Sequence, residues 1–344
     1  MASRCDILLA GSMDAAPLPG PDGSIRSLSD IIRDSLESHG LTVRQMPFPQ
    51  NIHHDEFGYH RLLVRTLAEL RPRLIFPVGD ALSLAHFREV LHSGRSFRIK
   101  SDGGKRVSFE LPEDIILACE DAEKILLLSG KVSFSTLVRE LGIRQPRSYD
   151  SPAQTGLPSE KAADKPGRLS SISDSTGTEN RPDIIFKRNV SYGGHGVHRP
   201  RTLEALENLI SHQSPGEPYL IQDFIPGTDF SVDAIRFSDP ESGSAFFKAS
   251  TYKVLSSNGN GPSADRQVLP RPDLEAIAGR IMDALDCQGL CGFDFRVTAQ
   301  DEPYLLECNP RFTGGLPSQL ESGFDIPYIL YKHYIQICNS RKKM

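Results

Sequence analysis

The chain has no CxxC pair, no long apolar run and almost no clustered positive charge. Six cysteines (Cys5, Cys119, Cys287, Cys291, Cys308, Cys338) are scattered over 344 residues. That scatter excludes a zinc ribbon and a disulfide framework, and it fits the reduced thiols of a cytoplasmic protein. Apolar stretches such as residues 7–10 and 125–128 are far too short to cross a bilayer. Only Arg4 precedes the first of them, so no signal peptide is expected. Lysine and arginine number 39 against 44 acidic residues, and the sole basic run is Arg341-Lys342-Lys343. Nucleic acid is normally met by a basic patch, so neither it nor a membrane is an expected partner. No GxGxxG follows the first apolar segment, where the turn reads Gly11-Ser12-Met13-Asp14. A GxxxxGK[ST] loop and an internal repeat are also absent.

What remains is an ordinary globular composition, 38% apolar and 24% charged. The length suffices for about two to three domains of roughly 100–200 residues. Over the first hundred residues strands alternate with helices: strands at 6–10, 41–46 and 73–78, helices at 28–38 and 59–70. Such alternation predicts an open parallel α/β domain. Residues 151–182 are rich in Ser, Pro, Thr, Gly and Asp and read as a flexible insertion. Beyond them β-formers dominate at 184–186, 219–223, 230–237 and 245–252. A helix is predicted over 274–285, strands over 292–297 and 304–307, and a last helix over 328–337.

Chemistry concentrates in the string Gly292-Phe293-Asp294 and Tyr304-Leu305-Leu306-Glu307-Cys308-Asn309-Pro310-Arg311-Phe312-Thr313-Gly314-Gly315. Two antiparallel strands would each end in a carboxylate, Asp294 and Glu307, 13 positions apart. Side chains alternate with period two, so Asn309 shares the side of Glu307 while Cys308 faces the core. Asp, Glu and Asn oxygens are hard ligands suited to Mg²⁺. Arg311 offers a fork for phosphate or carboxylate, and Gly314-Gly315 would let backbone N–H groups approach an anion. The plain alternative is an edge hairpin with solvated carboxylates. Upstream, Lys187 closes an apolar strand before Ser191-Tyr192-Gly193-Gly194-His195-Gly196, a phosphate cradle or a plain glycine turn. Residues 219–233 read as strand, Pro226-Gly227 interruption and strand. Extended backbone at 223–225 could pair with an adenine edge, and Asp229 with ribose hydroxyls.

These units, in this order, resemble the ATP-grasp superfamily, which includes biotin carboxylase, carbamoyl phosphate synthetase and D-alanine–D-alanine ligase. Gly130-Lys131-Val132-Ser133 with Gly142-Ile143 looks like the family's first ATP lysine and the helix behind it. The resemblance covers roughly residues 120–340. It implies an α/β and α+β protein: an N-terminal domain over 1–120, a lid subdomain over 121–227 and a catalytic subdomain over 228–344. It also implies ATP and Mg²⁺ as cofactors, with Mn²⁺ able to substitute. Lys131, Lys187 and Lys253 would contact phosphates, and Gly193, Gly194, His195 and Gly196 would form the loop above them. Gln222, Asp223, Phe224 and Ile225 would line the adenine and Asp229 the ribose. Asp294, Glu307 and Asn309 would hold the metal, with Arg311 and Lys187 as the catalytic pair. Three departures stand out: Gly130 where an aspartate is usual, Gln222-Asp223 where an acidic pair or Glu-Lys is commoner, and the 151–182 insertion.

The expected activity is ligation of a small-molecule carboxylate to an amine through an acyl phosphate, by a cytoplasmic homodimer. A bicarbonate-using carboxylase or kinase of the same superfamily and a non-catalytic ATP-binding module are the rivals. Substrates would lie near Gly11-Ser12 and Gly79-Asp80, at strand C-terminal ends. His53, His54 and His60 lack the HExxH spacing and read as a polar loop. Cys287 and Cys291 read as small buried hydrophobes, and Asn258-Gly259-Asn260-Gly261 as a turn.

Overall fold

The computed structural model describes residues 5–10, 18–19, 25–46, 62, 65–67, 69–79, 96–100, 106–110, 115–159, 183–189, 196–238, 244–257 and 263–341. In the N-terminal part, β1 (Ile7–Ala10) is followed by a small ribbon, β2 (Leu18–Pro19) and β3 (Ile25–Arg26). Next come α1 (Leu28–Ser38), β4 (Val43–Met46) and β5 (Leu74–Pro77). A hairpin, β6 (Ser96–Lys100) with β7 (Arg106–Glu110), precedes β8 (Ile116–Leu117). The sheet β4-β1-β5-β8 is parallel throughout, as the alternation of strands and helices implies. Of the helix predicted at 59–70, residues 62, 65–67 and 69–70 are helical and the rest lie outside the described residues.

Helix α1 shows why the sequence folds this way locally. Ser27 accepts from the Asp30 N–H and Asp30 accepts from the Ser27 N–H, a capping box that satisfies two orphan donors. Leu28, Ile31, Ile32 and Leu36 form its buried stripe. Each is worth roughly 1.5–3 kcal/mol against exposure. Gly40, at φ +76°, lets the chain turn away at the end.

The remainder holds α2 (Ala122–Ser129) and α3 (Lys131–Glu140), then two antiparallel sheets. The smaller contains β9 (Ser148–Tyr149), β10 (Ile184–Arg188), β11 (Val197–His198) and β12 (Tyr219–Asp223) in the order β11-β10-β12-β9. Helix α4 (Leu203–Ser211) covers one face, where Leu206 meets Ile184, Phe186 and Ile221. The larger sheet has β13 (Thr228–Ser238), β14 (Ala245–Ser257), β15 (Ser263–Val268), β16 (Gly289–Val297) and β17 (Pro303–Asn309). Their order is β15-β14-β13-β16-β17. Helices α5 (Pro272–Ala284), α6 (Leu316–Glu321) and α7 (Ile326–Arg341) complete the chain.

The large sheet separates two cores. On one face Val232, Phe293, Phe295, Cys291 and Cys308 pack against α5 and, through Phe134 and Val138, against α3. On the other, Ile235, Phe237 and Leu290 join α7 and the N-terminal sheet, including Leu9 and Phe76. Part of that second face stays polar, and the candidate site lies there. No helix among the described residues is long and apolar enough to cross a membrane.

The expected insertion is corrected at its start. Pro152–Thr155 forms a 3₁₀ turn, and Leu157 is buried in the small-sheet core beside Phe186. Residues 151–159 therefore belong to the fold: Thr155 and Leu157 supply buried groups that a bare composition count overlooks. Residues 160–182 lie outside the described residues.

Candidate active site

Asp294 and Glu307 pair directly across β16 and β17, with Gly292 opposite Asn309. The two carboxylates sit within their strands rather than at strand ends, which corrects that expectation. Just beyond the pair the register slips, so that Phe295 faces Leu305 and Leu306 is left over as a bulge. A bulge increases local twist and re-aims neighbouring side chains. The Asp294 carboxylate accepts from Ser231 Oγ and, at 3.2 Å, from Asn309 Nδ2. Burial, and next the Glu307 charge, push its pKa up to about 7. Burial would raise Glu307 too, but Lys131 and Lys187, together with the Asp294 hydrogen bond and the Arg311 charge, outweigh it and hold that carboxyl below its ordinary value.

Both lysines reach this pair from other elements. Lys131, in the first turn of α3, places Nζ 3.7 Å from Glu307 Oε2. Lys187 on β10 is buried, which depresses its pKa to about 8, with Glu307 partly restoring it. Gly130 cannot cap α3 with a side chain. The cap comes from the end of β10 instead: Asn189 Oδ1 accepts from the Val132 N–H at 2.9 Å, and its carbonyl from the Lys131 N–H at 3.0 Å. Asn189 thus supplies the acceptor missing at Gly130 and ties the two lysine-bearing segments together.

In the small sheet, Ile185, Lys187 and Gln222 share the face away from α4. Gln222 Nε2 donates to Pro146 O (3.4 Å) and Ser148 Oγ (3.3 Å), while its buried Oε1 has no partner. Asp223 departs from expectation. Its carboxylate accepts from Tyr149 OH on the opposite face, as period two requires once Gln222 faces the cleft. The Asp223 and Phe224 N–H groups bond Arg147 O and Asp183 O, so these two backbone donors are not open to an adenine edge. Arg296 is a site residue that no sequence motif marks. It ion-pairs with Asp229, donates to Ile225 O at 2.8 Å and lies 5.4 Å from the Phe224 ring centroid. It thereby braces the crossover from β12 to β13, where a β-carbon on Gly227 would lie 2.3 Å from Val297 O.

Lys253 is a second correction. It pairs with Phe230, whose ring belongs to the α5-side core, whereas its neighbour Tyr252 pairs with Ser231 on the site face. A strand residue one step from a cleft residue points away from the cleft. A third concerns Gly314-Gly315. A β-carbon on Gly314 would fall 2.7 Å from Arg266 Nη2, and one on Gly315 2.3 Å from the Tyr252 ring. Side chains occupy the space reserved for an anion near the backbone, and the Gly315 N–H is directed to Thr313 Oγ1. Arg311 donates to Phe312 O and to Asn309 Oδ1 (3.2 Å), beside the carboxylate pair.

Further residues unseen in the sequence complete this end. Asp233 is buried, accepts from Thr313 Oγ1 at 2.8 Å and Gln319 Nε2 at 3.4 Å, and is pushed up to about 6 by burial. Burial with the Asp233 and Asp294 charges holds the Tyr252 hydroxyl far above its usual range. Only the pairing of β13 with β14 and β16 reveals these neighbours. Gly196, at φ +81°, closes the β10–β11 turn, whereas Gly193, Gly194 and His195 lie outside the described residues. So do His53, His54, His60, Gly11, Ser12, Asp80 and residues 258–262, while Gly79 is buried just past β5.

The donor chemistry suits both expected ligands. Two opposed carboxylates with an amide oxygen match a hard divalent cation, which would relieve the repulsion raising Asp294. Among the described residues no group of three His, Cys, Asp or Glu forms a metal cluster, and this donor set has only two. The orphan Gln222 Oε1, buried among groups that fix its amide, suits a ligand bearing an N–H donor.

Comparison with known proteins leads to the same fold. Residues 216–343 match a family described as "ATP-grasp in the biosynthetic pathway with Ter operon". The carbamoyl phosphate synthase large chain of Thermoanaerobacter sp. (strain X514) is 26% identical over 206 residues, covering 57% of this chain and 17% of that protein. The chain thus spans about a sixth of the length of the curated relatives it matches. Among solved structures, biotin carboxylase from Campylobacter jejuni superposes with a TM-score of 0.63 at 15% identity, over 96% of this chain and 71% of that one. D-Alanine–D-alanine ligase from Bacillus anthracis, solved with ATP, gives 0.59 at 11% identity over 98% and 100%. The chain thus shares the fold of these two enzymes, and its residues 216–343 match the ATP-grasp family model.

Proposed function

We propose that the protein is an ATP- and Mg²⁺-dependent ligase joining a small carboxylate to an amine through an acyl phosphate. The observation that carries this reading is the convergence of Lys131 and Lys187, from separate elements, on the Asp294–Glu307 pair. Asp294, Glu307 and Asn309 would hold the metal, which offsets phosphate charge when bound. Lys131 and Lys187 would position the phosphates as fixed cations in a partly dehydrated site, where such charges act most strongly. Gln222 Oε1 would accept from an adenine amino group, its own amide held by Pro146 and Ser148. Asp229 would meet the ribose while paired with Arg296.

Arg311 would stabilise the phosphoryl group as a substrate carboxylate oxygen bonds to the γ-phosphorus and the bond to ADP breaks. The amine nitrogen then bonds to the acyl carbon, phosphate departs, and the amine proton passes to solvent. Loss of a charged donor made only in the transition state lowers kcat rather than nucleotide affinity.

Calorimetric titration with a non-hydrolysable ATP analogue tests the reading. Binding should require magnesium and should weaken in Gln222→Leu, which retains size but removes the acceptor. Wild-type protein that ignores the analogue with and without magnesium would overturn it. An ADP-release screen over carboxylates paired with amines then separates ligation from release driven by bicarbonate alone.

A further inference from the structure

The glycine pair after Arg311 leaves room for a second arginine. Arg266 of β15 lies against Gly314, and its Cζ is 5.9 Å from the Tyr252 ring centroid. Its Nε is buried without a hydrogen-bond partner, and no described carboxylate pairs with its guanidinium. A buried donor left unmatched is costly, more so when charged, so such groups are normally matched by something. Asp233, the buried carboxylate it acts on through space, already accepts from Thr313 and Gln319. Arg311 acts on that same carboxylate. Arg311 acts on Glu307 as well, so it has a carboxylate besides Asp233, whereas the buried Arg266 Nε stays unmatched.

We infer that Arg266 is a substrate-binding residue. It holds an anionic group, a carboxylate or a phosphate, carried by the substrate in addition to the carboxylate that is activated. The inference rests on the ligase reading, in which Arg311 serves the transferred phosphoryl group. A guanidinium donates in a planar fork that matches either oxyanion. The Tyr252 ring and the bare Gly314 backbone hold that fork in place, which a side chain at position 314 would prevent. The substrate class is therefore a diacid or a phosphorylated acid rather than a simple monocarboxylic acid.

The test uses full-length protein at constant ionic strength set with sodium chloride. Thermal shift is followed against glutarate, inorganic phosphate and butyrate in wild type, Arg266→Ala, Arg266→Lys and Gly314→Ala. Glutarate or phosphate should raise Tm in wild type, and butyrate should not. Arg266→Ala should raise the half-saturating concentration at least tenfold, Arg266→Lys by less, and Gly314→Ala should resemble Arg266→Ala. A stronger response to glutarate assigns a dicarboxylate, and a stronger response to phosphate assigns a phosphorylated acid. Equal half-saturation in wild type and Arg266→Ala, or no response to either anion, overturns the inference. Affinity for the magnesium–ATP analogue, measured on the same variants, should not depend on Arg266. Failure of the analogue to bind wild type, with the Arg266-dependent anion response intact, would remove the ligase reading and keep the anion site.

Discussion

The β16–β17 hairpin has two faces that follow opposite rules. Toward α5 it presents Phe293, Cys291 and Cys308, all within 3% of full burial. Burial there pushes the Cys308 thiol up, so it stays protonated and acts as a small hydrophobe. One residue along each strand stand Asp294, Glu307 and Asn309, with the Glu307 side chain 37% exposed. A single step of the chain separates packing from chemistry. The two faces should therefore fail in different experiments.

The largest effect belongs to the packed face. Phe293→Ala should cost about 3–5 kcal/mol, because the emptied volume lies against α5 and collapses only partly. Urea unfolding measures it, and an unchanged midpoint would show that this face does not carry the stability assigned to it. On the polar face, Arg311→Ala should lower kcat by roughly 10²–10³ with nucleotide affinity preserved. Loss of nucleotide binding with normal residual turnover would move Arg311 into the ATP pocket.

Asp233 sharpens the comparison, being polar in position and buried like the core. Its pKa stands at about 6, against an ordinary 3.8. The unfolded chain therefore releases this proton first, and stability falls as pH rises from about 4 to 6. The slope is about 1.4 kcal/mol per pKa unit, so roughly 3 kcal/mol is lost across the window. Asp233→Asn should flatten that part of the Tm–pH curve; identical slopes in the two proteins would show an ordinary carboxyl. The smallest effect expected is on nucleotide affinity. Lys187→Ala should weaken binding of the magnesium–ATP analogue by roughly tenfold, the scale of one charge-assisted contact. Unchanged calorimetric affinity would take β10 out of the site.

Much of the site is legible in the amino-acid order. Lys131, Lys187, Asp294, Glu307 and Asn309 lie where the strings around them suggest, and Cys308 faces the core as its place between Glu307 and Asn309 requires. The misreadings are equally physical. Proximity in sequence to cleft residues points to Asp223 and Lys253, yet each sits one step out of phase. Gly314-Gly315 suggests an open backbone, but the space above a glycine belongs to whichever side chain the fold delivers there.

The sequence by itself determined the parity of each strand, the stripe and caps of α1, and the residue types that supply charge. These depend on neighbours within a few positions, because backbone geometry repeats every two or 3.6 residues. Tertiary structure alone decided the rest. It set the register that opposes Asp294 to Glu307 and leaves Leu306 as a bulge. It brought Asn189 to cap α3 across 57 positions of chain. It also laid Arg266 and Tyr252 over the two glycines. Each of these is a contact between segments far apart in sequence, and no local periodicity encodes which distant strand will arrive beside another, or in what register.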